Sequence, residues 1–313
     1  MFMKGFKAVI IISFMMLIFS SCTKKNGEET LFIAEQYGLA YAPLQIMKEK
    51  QILEALLPNT KIEWVTLSNT TSIREAMLSE NVDVGFMGIP PFIIGLDNGM
   101  DWKIMSGLSK NPSGLVTYDK NIKTLADFTS ADKIALPQPG SIQHILLAMA
   151  CEKQFGEADR LDHLLVAMKH PDAYQSLESQ STIKAHFASP PYLFDELNNA
   201  DNHLILSGEE AFGEDFTFIV GVCGREFYNN KKQYEAVNEG LKQAITYMKQ
   251  NEAEAIALLS TSYSIDELLL KEYLTQEGMI YSQEVEGLER FVDFMLRNEY
   301  IKNDYQLDDL IWE

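Results

Sequence analysis

Ser141 stands at a point of the chain where a hydroxyl and free backbone N–H groups would meet a ligand. Residues 133–136 have the apolar character of a short buried strand, Pro137 and Pro139 end it, and apolar residues at helical spacing follow Gly140. This pattern predicts a strand-to-helix corner with Ser141 as the N-cap of the helix. The positive end of a helix dipole attracts anions, so the corner is a candidate binding site, with an ordinary capped turn as the alternative.

Two further corners have the same design. The run from Ser68 to Thr71 lies between a predicted strand and an apolar-periodic helix, and its polar side chains either bind an oxyanion or cap the helix. A third corner begins at Ser189, after a predicted strand over residues 183–188. Since the carboxyl ends of strands in an α/β sheet border a crevice, we expect the three corners to face one ligand.

The charged residues narrow the choice of ligand. The formal net charge of −19 makes the chain a poor partner for nucleic acid. Arg74 is the one arginine near a corner, and its place in an amphipathic helix suits solvent exposure. Either backbone dipoles and hydroxyls hold an anion, or the ligand is neutral and aromatic. Tyr37 and Tyr41 either stack on such a flat ligand or pack as ordinary turn residues.

The histidines do not indicate a metal site or a catalytic site. The five histidines lack i, i+4 pairing on one helix, and the sequence has no Cys-x-x-Cys and no Gly-x-Ser-x-Gly. His144 lies one turn into the helix after Gly140, so it either faces the ligand or packs as a surface or core residue. The same alternatives apply to His186. We therefore expect no metal, no cofactor and no enzymatic activity.

The N-terminal residues are typical of an exported protein. Two lysines precede an apolar run from Ala8 to Phe19, which is too short to span a membrane comfortably. The sequence FSSC ends at Cys22 and resembles the lipobox of bacterial lipoproteins, which implies a lipid on Cys22. We interpret residues 1–21 as a signal peptide and residues 22–30 as a polar tether. The expected location is outside the cytoplasm, anchored to the bacterial membrane.

The remaining chain is predicted to form two α/β lobes. Strands and helices alternate from Leu31 onward, and 313 residues suit two compact units. Turn residues around Pro112 mark the first crossing between lobes, and an extended segment near residue 218 marks the return. Lobe 1 is predicted to contain residues 31–112 plus 218–313, and lobe 2 residues 113–217.

Several local features complete this expectation. One helix is predicted from Pro43 to Leu56, and the chain from Arg225 onward is predicted to be nearly all helical. Cys151 and Cys223 are expected to stay unpaired, because they fall on elements assigned to different lobes.

Five segments in order resemble the extracytoplasmic solute-binding proteins of ABC importers. They are the lipobox and the sequences EQYGLAYAPLQIMKEKQIL, NVDVGFMGIPPFI, LPQPGSIQHILL and HFASPPYLFDEL. The resemblance covers about Leu31 to Leu259 and is greatest to the nitrate, sulfonate and taurine group, which also includes pyrimidine-precursor binders. It implies a type II periplasmic-binding-protein fold with two lobes, two crossover strands and a C-terminal helical region. The lobes of such proteins close on a solute held in the cleft.

The resemblance also implies a set of cleft contacts on the turns and corners of both lobes. They are Tyr37, Tyr41, Ser68, Asn69, Thr70, Thr71, Gly88, Ile89 and Pro90 in the first lobe, and Gly140, Ser141, Ile142, Gln143, His144, Phe187, Ser189 and Pro190 in the second.

The role implied is delivery of a small anionic solute, such as nitrate, a sulfonate or taurine, to an ABC permease and its ATPase by a monomeric protein. A thiamine-type pyrimidine precursor is the alternative ligand, favoured by Tyr37, Tyr41, His144 and Phe187. A sensor that presents its ligand to a membrane receptor is an alternative of another class. A pyrimidine synthase is not favoured, because the cysteine-rich motif of those enzymes is absent from the sequence.

Overall fold

The computed structural model describes residues 29–313, and the predicted signal peptide, Cys22 and most of the predicted tether lie outside these residues. Glu29 and Thr30, assigned to the tether from the sequence, instead begin the first strand. The strands are β1 Glu29–Glu35, β2 Thr60–Thr66, β3 Val84–Gly88, β4 Trp102–Lys110, β5 Gly114–Thr117, β6 Ile134–Leu136, β7 Leu165–Ala167, β8 Ala185–Ala188, β9 His203–Ser207, β10 Ile219–Gly224 and β11 Ile280–Tyr281.

The helices of the described residues connect and cover these strands. They are α1 Ala42–Glu49, α2 Ile52–Leu56, α3 Thr70–Leu78, α4 Ile89–Asp97, α5 Ile142–Phe155, α6 His170–Glu178, α7 Tyr192–Asn198, α8 Gly208–Phe212, α9 Arg225–Asn229, α10 Lys231–Gln250, α11 Glu252–Tyr263, α12 Glu267–Leu274, α13 Leu288–Arg297 and α14 Leu307–Leu310.

The first sheet has six strands in the order β11-β4-β10-β3-β1-β2. β1 runs parallel to both β2 and β3, with Ile33 opposite Trp64 on one side and Val84 on the other. β10 returns antiparallel between β3 and β4. Because parallel strands end at the same edge of a sheet, the segments after β1, β2 and β3 lie together.

The second sheet has five strands in the order β7-β6-β8-β5-β9. β6 lies parallel to β7 and β8, and β5 runs antiparallel to β8 and β9. The carboxyl ends of β6, β7 and β8 therefore meet at one edge, just as those of the first sheet do.

The chain crosses from the first sheet to the second between β4 and β5, and it returns between α8 and β10. This arrangement confirms the predicted α/β fold with two lobes, two crossings and a C-terminal region rich in helices. We propose residues 112 and 217 as the last residues before each crossing into the next lobe, since every strand of each sheet then falls in one lobe.

A continuous apolar core extends through both lobes and the C-terminal helices. Phe86 and Trp102 are buried in it from the first lobe, Phe187 from the second and Phe291 from α13. Complete burial of an apolar side chain of this size stabilises the fold by roughly 1.5–3 kcal/mol. Val116 and Leu177 belong to a second, smaller core within the second lobe. The shared core fixes the positions from which the corners of both lobes project.

Two local predictions differ from the structure. The single helix predicted from Pro43 to Leu56 is two helices, α1 and α2, separated where Gln51 adopts a left-handed conformation with φ of 50°. Both short helices pack on α10, and the break lets each reach it. The C-terminal region also contains β11, whose Ile280 pairs with Lys110.

Within residues 29–313, none of the helices combines the length and the apolar character that crossing a bilayer requires. Cys151 and Cys223 are both buried and unpaired. Burial raises the pKa of each thiol to about 12, so both remain protonated near neutral pH.

Candidate ligand-binding cleft

A cavity lies between the two lobes, where the carboxyl edges of the two sheets face each other. Its volume is about 40 Å³. One water molecule needs roughly 10–15 Å³ of such space, so the cavity suits a group of a few heavy atoms. The residues that line it are Gln36, Tyr37, Ala40, Tyr41, Ser68, Thr70, Gly88, Pro91, Pro137, Gln138, Ser141, Ile142, Gln143, Lys169, His170, Ser189, Phe218 and Ile219.

The cavity brings together residues from every corner predicted from the sequence. The predicted contacts that line it are Tyr37, Tyr41, Ser68, Thr70, Gly88, Ser141, Ile142, Gln143 and Ser189. Those that do not line it are Asn69, Thr71, Ile89, Pro90, Gly140, His144, Phe187 and Pro190. Contact of a ligand with the residues of either group stays a prediction.

Residues outside the lining have other partners. Asn69 is the N-cap of α3, and its Oδ1 accepts a hydrogen bond from the Ser72 N–H at 3.0 Å. His144 is held inside the second lobe: its Nδ1 accepts from the Gly140 N–H at 2.8 Å, and its Nε2 lies 3.0 Å from an oxygen of Asp162. Both ring nitrogens of His144 therefore have partners within the second lobe.

Ser141 is the N-cap of α5, as its sequence position predicts. Its hydroxyl oxygen accepts a hydrogen bond from the His144 N–H at 3.3 Å. The first-turn N–H groups of Ile142 and Gln143 have no acceptor within the helix, and both residues line the cavity. The start of α5 thus presents a hydroxyl and backbone donors to the same space.

Direct hydrogen bonds join the lobes beside the cavity. Oε1 of Gln138 accepts from the backbone N–H of Thr71 at 3.3 Å and from its hydroxyl at 3.2 Å. The Leu39 N–H donates to the Pro190 carbonyl at 2.9 Å. Gly38 has φ of 119°, and a Cβ there would lie 2.9 Å from that carbonyl oxygen, so this approach of the lobes requires glycine. These contacts close the cleft over the cavity.

Sequence reasoning missed part of the lining, including Lys169 and His170 at the start of α6. They follow β7 as Ser141 follows β6, so the same strand-to-helix rule, applied to the segment after β7, would have found them. Phe218 and Ile219 enter from β10, whose approach to the cavity depends on the sheet order and has no local sequence signal.

The electrostatic character of the cavity differs from that of the whole chain. Lys169 and His170 line it, and among the residues of the described chain that do so there is no Asp or Glu. The helices α3, α4, α5 and α6 all begin at it. Their positive dipole ends add to the lysine charge and favour a negatively charged occupant. The Lys169 ammonium also lies 3.5 Å from a carboxylate oxygen of Asp172, a residue that does not line the cavity.

His170 gives the cavity a buried ring nitrogen. Its Nε2 lies 3.1 Å from Nε2 of Gln143 and 3.3 Å from Oγ of Ser189, and both of these residues line the cavity. Tyr192 stacks on the ring with centroids 5.9 Å apart. Polar groups of α5, α6 and the segment after β8 therefore meet at one point.

Within residues 29–313, no group of three or more His, Cys, Asp or Glu side chains is arranged to hold a metal ion. The cavity instead offers hydroxyl, amide, imidazole and ammonium donors. This donor set fits the oxygens of an anion.

Two lobes, two crossings and a closed cleft define a protein of the periplasmic-binding-protein fold, and solved structures agree. The alkanesulfonate-binding protein SsuA of Xanthomonas axonopodis pv. citri, bound to MOPS, matches with a TM-score of 0.77 at 19% identity, over 90% of this chain and 98% of that one. The periplasmic nitrate-binding protein NrtA of Synechocystis PCC 6803 matches with a TM-score of 0.66 at 16% identity, over 90% of this chain and 83% of that one.

Sequence similarity extends over a shorter region. The phosphate-import protein PhnD of Mycolicibacterium smegmatis is 27% identical in an alignment 146 residues long, which covers 42% of this chain and 43% of that protein. The match therefore spans less than half the length of this curated relative. No family model matches the chain.

Proposed function

We propose that this protein is the extracytoplasmic solute-binding component of an ABC importer and that it clamps a small anion between its lobes. The observation that carries the proposal is the cavity itself, in which Lys169, His170 and the starts of four helices surround a space lined by no carboxylate among the described residues. The likeness to sulfonate-binding, nitrate-binding and phosphate-import proteins supports the same class of ligand.

The size and charge of the cavity favour a singly charged oxyanion group. About 40 Å³ suits nitrate or the head group of a sulfonate such as taurine. One lysine with neutral donors balances a single negative charge, whereas a doubly charged phosphate is commonly held by guanidinium groups. A pyrimidine precursor is less suited, because its ring needs more room than this closed cavity provides.

The location and partners belong to the same proposal. Residues 1–21 would direct export, and a lipid on Cys22 would anchor the mature protein to the membrane. The closed protein would then deliver its solute to a permease with an ATPase subunit, acting as a monomer.

A thermal-shift panel tests the proposed ligand class. The purified protein is heated with nitrate, methanesulfonate, taurine, phosphate, methylphosphonate, thymine or no addition. A ligand present at 100 times its Kd stabilises the native state by about 2.7 kcal/mol, so we expect nitrate or a sulfonate to raise the Tm by several degrees. A Tm that rises with thymine alone would contradict the proposal, and so would a Tm that none of the compounds raises. Calorimetric titration of the best compound then gives its Kd.

A further inference from the structure

We propose that Glu196, His186 and His170 form a buried proton relay that decides whether the cleft offers a hydrogen-bond donor or an acceptor to its solute, and that His170 thereby selects for anions. This inference rests on the proposed function, because it concerns the ligand of the same cleft. It adds a specificity-determining residue and a pH dependence that follow from three side chains in the second lobe.

The three side chains form an unbroken chain of hydrogen bonds that ends at the cleft. Oε1 of Glu196 lies 2.6 Å from Nδ1 of His186. Nε2 of His186 lies 2.8 Å from Nδ1 of His170. Nε2 of His170 then faces Gln143 and Ser189 in the cavity lining. Glu196 and His186 are completely buried, and His170, which is 8% exposed, lines the cavity, so the hydrogen-bond chain ends at the cleft.

Two proton arrangements satisfy this chain with both rings neutral. With the carboxyl protonated, Glu196 donates to Nδ1 of His186, Nε2–H of His186 donates to Nδ1 of His170, and Nε2–H of His170 points to the cleft. Nε2 of Gln143 can only donate, so in this arrangement the Gln143 amide must turn away or present its oxygen to His170. With the carboxylate ionised, every bond reverses, and Nε2 of His170 presents a lone pair that accepts from Nε2 of Gln143 at 3.1 Å. The two arrangements differ by one proton, which enters or leaves at Nε2 of His170.

Burial favours the first arrangement near neutral pH. Together with the nearby charges of Glu178 and Asp195, it raises the pKa of the Glu196 carboxyl to about 9. It lowers the pKa of His186 to about 3 and holds that of His170 well below its usual value. Oε2 of Glu196 is buried without a hydrogen-bond partner among the described residues, as suits a neutral carboxyl better than a carboxylate.

Other titratable groups around Glu196 keep their own partners. Glu178 of α6 accepts hydrogen bonds from Asn199 and Asn202. Asp195 of α7 accepts from the Tyr273 hydroxyl of α12 at 2.6 Å. Both carboxylates remain beside Glu196 and oppose its ionisation.

Besides His186 on β8, His170 has titratable neighbours at α6 and α7. Lys169 precedes it and lies 3.5 Å from Asp172. Tyr192 stacks on its ring, and Tyr174 contacts Tyr192 in turn. Burial raises the pKa of Tyr192 to about 12, so this hydroxyl stays neutral over the range in which Glu196 titrates.

The relay therefore favours anions below pH 9. An anion oxygen accepts from Nε2–H of His170, while the Ser189 hydroxyl and the Gln143 amide turn toward the same anion. Above pH 9 the ionised relay presents a lone pair and a buried negative charge, and both repel the anion. Binding that requires the protonated relay then weakens with rising pH, and the weakening approaches about tenfold per pH unit well above pH 9.

The test is a calorimetric titration with nitrate and with methanesulfonate at pH 7, 9 and 10. We expect the Kd at pH 9 to be about twofold weaker than at pH 7, and the Kd at pH 10 to be about tenfold weaker than at pH 7. Glu196→Gln keeps a donor toward His186 and cannot ionise, so this part of the pH dependence should disappear. Glu35→Gln is the matched control, because Glu35 is also buried but does not line the cavity. The control should keep the weakening of the natural protein.

Proton uptake provides a second readout that needs no variant. At pH 9.5 anion binding should draw about one proton from the buffer, so the observed enthalpy should depend on the buffer's ionisation enthalpy; at pH 7 it should not. Lys169 is present in the natural protein, in Glu196→Gln and in Glu35→Gln. Its titration therefore cannot produce a difference in pH dependence between them. Anion binding at pH 7 with no proton uptake at pH 9.5, or with equal weakening in Glu196→Gln, would overturn the relay alone. Absence of anion binding at pH 7 would overturn the proposed function.

Discussion

Glu35 is a carboxyl group buried away from the cavity, at the end of β1. Both of its oxygens accept hydrogen bonds from the Gln45 side-chain amide at 2.7 Å. Burial nevertheless dominates and raises the pKa of Glu35 from 4.5 to about 7. The folded protein therefore binds a proton at Glu35 that the unfolded chain has already released between these two pH values.

This difference makes stability depend on pH with a definite sign. The contribution of Glu35 is fully present below pH 4.5 and is lost as the pH rises through 7. In Glu35→Gln that loss is absent. We expect the free energy of unfolding of the variant, relative to the natural protein, to rise by about 3 kcal/mol between pH 4 and pH 8. Urea unfolding at several pH values measures it, and a difference independent of pH would contradict the assignment.

At the scale of the elements, the N-caps of α3 and α5 separate a structural role from a binding role. Asn69 and Ser141 each accept a hydrogen bond from a first-turn N–H of their helix. Only Ser141 also lines the cavity. The two residues therefore form a matched pair, one in each lobe.

We expect Asn69→Ala and Ser141→Ala each to lower the free energy of unfolding by about 1 kcal/mol, because each removes a cap. Ser141→Ala should also weaken methanesulfonate or nitrate binding by roughly fivefold, the effect of one lost hydrogen bond. Denaturant unfolding and calorimetric titration provide the two measurements. Equal effects of both variants on affinity would show that Ser141 acts on the cleft only through the stability of its helix.

The sequence predicted those elements whose signals are local. The corner at Ser141 could be recognised because strand, prolines, glycine and apolar helix follow one another within a few residues. The break at Gln51 had no such signal, since a glutamine there gives no indication of a left-handed conformation. His170 and His186 meet because α6 packs against β8, a contact that no periodicity encodes. The relay could therefore be found only in the folded structure.

At the scale of the whole molecule, charge is distributed unevenly between surface and cleft. The full chain has a formal net charge of −19, yet the described residues that line the cavity include a lysine and no carboxylate. Long-range attraction therefore would not draw the proposed anion to the protein, and short-range dipoles and donors would have to hold it between the lobes. The contact of Gln138 with Thr71 joins the lobes beside the cavity, and electrostatic contacts in such an enclosed space are stronger than in bulk water.

The central claim is that a small anion is held between the lobes, and a crystal structure of the protein grown with nitrate or methanesulfonate tests it most directly. We expect the anion in the cavity, within hydrogen-bond distance of the Ser141 hydroxyl and Nε2 of His170, with the Gln138 and Thr71 contact formed. An anion bound on an outer face, with only water between Ser141 and His170, would contradict the account.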